Sequence, residues 1–210
     1  MGRGKQLKRL RARLDVRPRV LIVCEGRVTE PEYINIVRVQ EKINLVKIIV
    51  DDEGGTPKTL VDRAVEEKKR TARSQFGKYD EVWCVFDFDE HPFIAEAKQK
   101  AQANGIRVAM SNPCFELWLM LHFRYHSAHI TRRDARRACE REIAGYEKHV
   151  PSEVVYPRLE TAIANARQLA RWQETRDGSG KNPSTDVYLL IERLRAASKS
   201  ALIEQIAHKN

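Results

Sequence analysis

Four short, nearly continuous apolar segments alternate with amphipathic segments in the first half of the chain, and this pattern limits the fold more than any other feature. The four apolar segments are RVLIVCEG (19–26), LVKIIV (45–50), EVWCVFDF (81–88) and IRVAMS (106–111). Strands that are apolar throughout are typical of a parallel sheet buried on both faces, and parallel strands need crossover connections between them. The sequence therefore predicts an α/β fold with a mainly parallel sheet and helices on both faces.

Helix signals lie between these apolar segments. Thr29 and Pro31 mark a helix start after the first strand, and Gly105 marks a helix end before the fourth. The segment from Thr56 to about Gln75 is amphipathic and is predicted to be a helix. The element order is therefore strand, helix, strand, helix, continued through the fourth strand.

The second half of the chain is predicted to be helical. One helix is expected in TRRDARRACEREIAGY (131–146), and a longer one runs from about Pro157 to Arg176. Two further helices are expected between Ser184 and Ala207. These helices predict a layer that packs on or beside the sheet.

The length of 210 residues is enough for one good-sized core. We expect a basic arm over residues 1–18, an α/β domain over 19–125 and a helical region over 126–210 packed on that domain. No apolar run approaches the roughly 20 residues that span a bilayer, and the first residues lack the apolar core of a secretion signal. We therefore expect a cytoplasmic protein without a membrane partner.

The net charge of +9 is concentrated at the start of the chain. Residues 1–19 hold eight lysines and arginines against one acidic residue, Asp15. A basic arm of this kind can neutralise phosphates and attract nucleic acid. It can equally be a solvated terminus, and charge alone does not decide between the two interpretations.

Cysteine and histidine spacing gives no zinc signature. The four cysteines form no C-x-x-C pair, and three of them lie in apolar stretches where buried free thiols are expected. His122 and His126 share a helix face by their spacing, and His129 follows. Neither an H-E-x-x-H pattern nor a cysteine pair completes a zinc site.

Carboxylates follow two of the predicted strands. Glu25 comes directly after the first strand, and Asp87 and Asp89 come at the end of the third. Ligand sites of open parallel sheets form outside the carboxyl ends of the strands, so we expect these three side chains to converge. Residues i and i+2 of a strand project to the same side, roughly 6.6 Å apart along it, so Asp87 and Asp89 can reach one cation or a close pair.

Mg²⁺ or Mn²⁺ is the expected occupant of this acidic cluster. Without a cation, mutual repulsion would raise the pKa values of the carboxyl groups or destabilise the fold. Mg²⁺ prefers a few carboxylates, several waters and substrate phosphates. A D-x-D after a strand is also compatible with a structural turn, and the pairing with Glu25 favours the metal.

Two nearby residues have both a functional and a structural interpretation. His91 could hydrogen-bond a carboxylate or phosphate as part of the catalytic site, or His91 and Pro92 could simply open a helix. Glu116 starts the helix in SNPCFELWLMLHF at the same sheet edge. It could be a further metal ligand, or it could stabilise the helix N-terminus through the dipole.

Basic residues of the second half are candidates for nucleic-acid binding, whether the partner is DNA or RNA. The run RRDARRACERE contains four arginines that suit phosphate contacts if their helix lies beside the carboxylates, and otherwise form a solvated face. The candidates are Arg132, Arg133, Arg136, Arg137 and Lys181.

Several motifs together resemble those of one protein family. VCEGRVTEPEY, GGTP, VWCVFDFDEH, SNPCFELWLMLHF and NPST resemble the RloB family of prokaryotic defence-island proteins, and they span residues 19 to about 195. The arrangement of a Glu after the first strand and a D-x-D after the third is similar to the Toprim catalytic domain. The resemblance implies a Toprim-like sheet and a setting in defence against phage, where a partner protein of the defence system is possible.

The resemblance also implies roles for the acidic residues. Glu25 matches the Toprim glutamate, which is a metal ligand or a general acid/base, and Asp87 and Asp89 match the aspartates that hold Mg²⁺. No nucleophilic tyrosine module is recognisable, so the resemblance favours hydrolysis of nucleic acid by metal-activated water. The alternatives are a non-catalytic module that binds nucleic acid or a partner, and a haloacid-dehalogenase-type phosphatase, a class that places its D-x-D on the first strand.

Overall fold

The structure, a computed structural model, describes residues 18–51, 56–72, 77–88, 93–176 and 181–207, with side chains described through residue 198. The strands are β1 (Val20–Cys24), β2 (Val46–Val50), β3 (Glu81–Asp87), β4 (Arg107–Asn112) and β5 (Ser184–Thr185). The helices are α1 (Thr29–Gln40), α2 (Pro57–Ala72), α3 (Ile94–Ala103), α4 (Glu116–Met120), α5 (Arg132–Glu142), α6 (Ser152–Val155), α7 (Leu159–Glu174) and α8 (Val187–Ala207), with a 3-10 turn over Tyr156–Arg158.

The five strands form one sheet in the order β2-β1-β3-β4-β5. The first four are parallel, and β5 is antiparallel to β4. The predicted α/β class, a Toprim-like and mainly parallel sheet flanked by helices, is confirmed. The sequence did not predict β5, because two residues are too few to show the periodicity of a strand.

Helices cover both faces of the sheet because successive strand residues point to opposite sides. On one face, Val20, Ile22 and Val85 belong to a large core shared with α1, α4, α5, α7 and α8. On the other face, Leu21 and Val23 belong to a smaller core shared with α2 and α3. The sheet therefore has a thick helical layer on one side and a two-helix layer on the other. Whether the chain divides at about residue 125 stays a prediction.

The C-terminal segment corrects one prediction. Residues 187–207 form a single helix, α8, instead of the two helices expected between Ser184 and Ala207. The segment contains neither glycine nor proline, so nothing in the backbone ends the helix. The polar residues around Ser198 interrupt the apolar pattern without breaking the helix, and the Ser198 hydroxyl donates to the carbonyl of Glu41.

The cysteine prediction is confirmed, since all four cysteines are buried and free. Among the helices that the structure describes, none combines the length and the apolar character that crossing a membrane requires.

A buried polar contact joins α1 to the segment that follows α4. His122 is 1% exposed, and its Nδ1 lies 3.0 Å from the carbonyl oxygen of Trp118. Because that oxygen can only accept, Nδ1 carries the proton and Nε2 accepts from the Tyr33 hydroxyl at 2.9 Å. Burial lowers the pKa of His122 to about 4, so the imidazole is neutral in the folded protein near pH 7. His122 therefore has a structural role.

His122 predicts acid sensitivity of the fold. Because its pKa is lowered from 6.5 to about 4, the unfolded state binds the proton first, and stability is lost as pH falls through this interval. We expect the free energy of unfolding to fall by roughly 1–3 kcal/mol from this group alone. Chemical denaturation of the wild type and of His122→Gln between pH 7 and pH 4 measures the difference in slope.

The matched control is Tyr33→Phe, which removes the hydroxyl and keeps the buried imidazole. This variant is expected to be less stable at every pH while it retains the slope of the wild type. Equal slopes for the wild type and His122→Gln would contradict the assignment.

Candidate functional site

The carboxyl ends of β1 and β3 bring Glu25 and Asp87 together. The two strands pair in parallel with Cys24 opposite Val85, so each ends at the same edge of the sheet. The backbone N–H of Glu25 continues the ladder by donating to the carbonyl of Val85 at 3.0 Å. The Glu25 carboxylate then accepts from the backbone N–H of Asp87 at 3.2 Å. The structure thus brings together Glu25 and Asp87, two of the three carboxylates that were expected to converge, whereas Asp89 lies outside the described residues.

Asp87 lies on the side of the sheet that the thick helical layer covers. Val85 belongs to the core on that side, and Asp87 shares its face by the two-residue period of the strand. The first residue of α5 reaches this carboxylate, since Nη2 of Arg132 donates to Oδ2 of Asp87 at 3.1 Å. The helical half of the chain thus contributes a cation to the acidic edge.

Glu30 is a further member of the cluster, and the sequence interpretation missed it. It lies in the first turn of α1 and is 7% exposed. Its carboxylate lies against Gly26, where an added Cβ would meet Oε2 of Glu30 at 1.9 Å. Gly26 therefore leaves the space that this carboxylate occupies. A glycine followed four residues later by Glu in a first helical turn was the available signal, but such a Glu is usually explained by the helix dipole.

Glu116, the first residue of α4, lies at the same edge and is half-buried. Its Oε1 accepts from the Tyr146 hydroxyl at 3.3 Å, and its backbone carbonyl accepts from the thiol of Cys139. Tyr146 follows α5 and Cys139 lies within it, so contacts from the helical half hold Glu116 in place.

Lys148 brings a second cation from a loop that no sequence signal marked. Its carbonyl accepts from the Thr29 hydroxyl at 2.9 Å, and the N–H of Val150 donates to the Glu32 carboxylate at 3.0 Å. Both contacts fasten the loop to the start of α1. Lys148 itself has φ of 72°, a left-handed conformation that is uncommon outside glycine and is held here by these contacts.

These side chains line a cavity of about 280 Å³ at the sheet edge. Four carboxylates face three cationic side chains in it, and the ring of Phe115 forms part of the wall. The charged residues are Glu25, Glu30, Asp87, Glu116, Arg27, Arg132 and Lys148. The cavity joins residues from both halves of the chain.

Burial and mutual repulsion disfavour the ionised form of two of these acids. Burial, followed by the charges of Glu30, Glu116 and Glu25, raises the pKa of Asp87 well above its usual range, and Arg132 opposes this effect. Burial is also the main cause that raises the pKa of Glu30 to about 7, and Lys148 is among the groups that oppose it. The cations of the cavity therefore offset the burial and mutual repulsion of these carboxyl groups only in part.

Comparison with known proteins identifies the family of the chain. A family model described as RloB-like protein matches residues 20–194. The chain belongs to the RloB-like protein family. The match includes every residue of the cavity described above. Searches of curated proteins and of solved structures found no match.

The other residues predicted for the site of this RloB-like protein divide into two groups. Asp89 and His91 lie outside the described residues, as does nearly all of the basic arm. Arg133, Arg136 and Arg137 are exposed on α5, away from the cavity lining, and Lys181 is exposed. The neighbour of Lys181, Asn182, exchanges two hydrogen bonds with Ile130 just before α5, so Lys181 lies near the start of that helix.

Within the described part of the chain, no group of three or more His, Cys, Asp and Glu side chains is arranged so that it could hold a metal ion. Asp87 has Arg132 as its partner, and Glu116 has Tyr146. The oxygen chemistry of Glu25, Asp87 and Glu116 nevertheless suits Mg²⁺ or Mn²⁺, which prefer carboxylate and water ligands. The ligand set that the sequence predicts for this RloB-like protein stays a prediction.

Replacement of Glu30 by a neutral residue should stabilise the folded protein, because it removes one carboxyl group from the acidic cluster. Because the pKa of Glu30 is raised from 4.5 to about 7, ionisation costs folding free energy as pH rises through this interval. We expect Glu30→Gln to increase the free energy of unfolding by roughly 1–3 kcal/mol at pH 8, with the gain fading below pH 5. Denaturant titrations in the presence of a chelator measure this difference.

Glu96→Gln on α3 is the matched control, because this exposed carboxylate pairs with Lys58 and neither residue lines the cavity. Its effect is expected to be close to zero at both pH values. A Glu30→Gln protein that is no more stable than the wild type at pH 8 would show that the cluster does not strain the fold.

Proposed function

We propose that this protein is a metal-dependent phosphodiesterase that hydrolyses DNA or RNA with Mg²⁺ or Mn²⁺. The observation that carries the proposal is the cavity in which Glu25, Glu30, Asp87 and Glu116 converge beside Arg132 and Lys148. Carboxylates at the carboxyl ends of parallel strands, with cationic side chains in the same cavity, suit a bound cation and a phosphate together. Such a concentration of charge has a stability cost, which favours a functional explanation.

The donor chemistry supports a hard divalent cation. The proposed ligands are Glu25, Asp87 and Glu116 together with Asp89, because the described side chains alone do not form a metal-binding group and Asp89 lies outside them. A bound cation would supply an activated water and would neutralise charge on the phosphate. It would also offset the repulsion that burial imposes on the carboxylates, because a double positive charge favours their ionised form.

The cationic side chains have a separate part in the proposal. Arg132 and Lys148 reach the cavity from α5 and from the following loop, and both can donate to phosphate oxygens. Exposed arginines continue along α5 away from the cavity and can contact neighbouring phosphates, namely Arg133, Arg136 and Arg137. Lys181, near the start of α5, extends this basic surface. His91 is proposed to assist the catalytic site, as its place after the D-x-D suggests.

The cellular setting of the proposal rests on family membership. The chain belongs to the RloB-like family, and the resemblance to defence-island proteins suggests a role against phage. The Toprim-like sheet and the absence of a recognisable tyrosine module favour direct hydrolysis over strand passage. A partner protein from the same defence locus is compatible with this role.

Asp87→Asn tests the proposed activity most directly. The change keeps the shape of the side chain but removes its ability to ionise, so a metal could no longer be held by a carboxylate at this position. We expect cleavage of labelled DNA or RNA that depends on Mg²⁺ or Mn²⁺ in the wild type, and a loss of roughly 100-fold or more in the variant, the scale for removing a preorganised electrostatic contact. Glu25→Gln is expected to behave similarly.

Asp62→Asn provides the matched control, because this half-exposed carboxylate on α2 pairs with Lys100 and does not line the cavity. Its activity should equal that of the wild type. Thermal unfolding of each protein separates loss of chemistry from loss of fold, and Asp87→Asn is expected to be at least as stable as the wild type. Metal-independent cleavage, or equal cleavage by Asp87→Asn, would refute the proposal.

A non-catalytic module that binds nucleic acid is the second candidate function. The pairing of Asp87 with Arg132 favours it, because an internal cation already neutralises part of the acidic edge. The described side chains also include no group of three or more His, Cys, Asp and Glu that is arranged to hold a metal ion, which is consistent with a non-catalytic module. A binding module would retain nucleic acid with steep salt dependence, and neither a chelator nor Asp87→Asn would change its affinity.

A further inference from the structure

We propose that Arg132 is an internal counter-ion of the acidic cavity, and that its exchange between Asp87 and a nucleic-acid phosphate couples divalent cation binding to nucleic-acid binding. The inference rests on the proposed metal site and concerns its regulation. Its physical basis is a competition, since the guanidinium and a metal ion would both bind the Asp87 carboxylate.

The two partners of this ion pair differ in their freedom to move. The Asp87 side chain is 15% exposed and lies at the end of a central strand, whereas the Arg132 side chain is 48% exposed. Asp87 therefore stays in place when the pair opens, and Arg132 can turn to solvent. A divalent ion carries twice the charge of the guanidinium and can therefore compete with Arg132 for the Asp87 carboxylate.

The position of Arg132 in α5 makes its release favourable for binding phosphate. It is the first residue of the helix, where the dipole favours anions and disfavours a positive side chain. Thr131 caps this end by accepting from the N–H of Asp134 at 3.2 Å. A phosphate bound here would interact with both the helix N-terminus and the released guanidinium. The ion pair with Asp87 thus offsets the unfavourable interaction between the positive Arg132 side chain and the helix dipole.

If Arg132 were released from Asp87, it would add to the basic surface that the neighbouring arginines of α5 already form. Arg136 and Arg137 are exposed on α5 and form ion pairs within the helix, with Glu140 at 3.1 Å and Asp134 at 3.9 Å. Neither of them lines the cavity. Arg132 alone among these three arginines contacts a cavity carboxylate, so it alone should respond to the metal.

Coupling of this kind is reciprocal. If the metal releases Arg132 for phosphate, nucleic acid must raise the affinity for the metal by the same factor. A bound metal ion would also attract nucleic acid by its own positive charge. The contribution of Arg132 to nucleic-acid affinity therefore has to be measured separately from that direct attraction. The separation is possible because Arg132→Gln should weaken nucleic-acid binding only when the metal is present.

The test measures binding of a short single-stranded DNA oligonucleotide with phosphorothioate linkages, which resist hydrolysis, in chelator and in Mg²⁺. We expect Arg132→Gln to match the wild type in chelator and to bind roughly 3- to 10-fold more weakly than the wild type in Mg²⁺. The matched control Arg136→Gln, one turn further along α5, should weaken binding equally in both conditions. Calorimetric titration with Mn²⁺ alone should give a higher affinity for Arg132→Gln than for the wild type.

A double-mutant cycle provides an independent check. Asp87→Asn should raise oligonucleotide affinity in chelator, because it weakens the hold on Arg132. The same change in an Arg132→Gln background should raise affinity less. Equal increases in the two backgrounds, or an Arg132→Gln defect of the same size with and without Mg²⁺, would overturn the inference.

The outcomes also separate this inference from the proposed function. Coupling without hydrolysis in any condition would leave a metal-responsive binding protein and refute the phosphodiesterase. Metal-dependent hydrolysis without coupling would refute the counter-ion role and leave the enzyme. A wild-type protein whose oligonucleotide affinity ignores Mg²⁺ would overturn the inference.

Discussion

The parallel pairing of β1 with β3 is the constraint on which the rest of the structure depends. It aligns the ends of two strands that are separate in sequence, so that Glu25 accepts a hydrogen bond from the backbone of Asp87. The ladder holds both backbones, and apolar side chains on each face of the sheet keep the strands buried. The ladder therefore keeps the backbones of Glu25 and Asp87 next to each other despite the repulsion between their carboxyl groups.

Electrostatic strain and packing are balanced at this edge. Glu30 and Asp87 both have raised pKa values, chiefly because they are buried and then because other carboxylates lie nearby. The surrounding cores supply the hydrophobic stabilisation that lets the fold tolerate this cost. Gly26 contributes by leaving space for the Glu30 carboxylate. Acidic groups that are buried at a cost in stability are consistent with the activity proposed above.

The helical half of the chain does more than cover the sheet. It supplies Arg132 to Asp87, Tyr146 to Glu116 and Lys148 to the cavity wall, and it adds β5 to the sheet edge. The acidic residues come from the sheet and the helices that follow its strands, whereas two of the three cavity cations come from the second half. Proper docking of the two halves is thus a condition for charge balance in the cavity.

Much of this arrangement follows from local sequence pattern. The apolar runs and the helix signals between them predict the four parallel strands, and the rule for ligand sites in parallel sheets predicts that Glu25 and Asp87 meet. Arg132 was singled out by its place in a run of arginines, but its pairing with a carboxylate 45 residues away was not foreseen. Two helices were expected between Ser184 and Ala207, whereas the structure has a single helix there, because the segment contains no residue that breaks the backbone pattern.

The sequence by itself determined the fold class and one acidic edge, because strand and helix periodicity and strand-end position are local properties of the chain. Only the tertiary structure decided which other residues join that edge. In the sequence, Glu30 is an ordinary acidic residue of a first helical turn, and only the structure places its carboxylate against Gly26. Lys148 reaches the site because its carbonyl accepts a hydrogen bond from Thr29, 119 positions away in the chain. Such contacts depend on how distant segments pack, and no periodicity of the sequence encodes them.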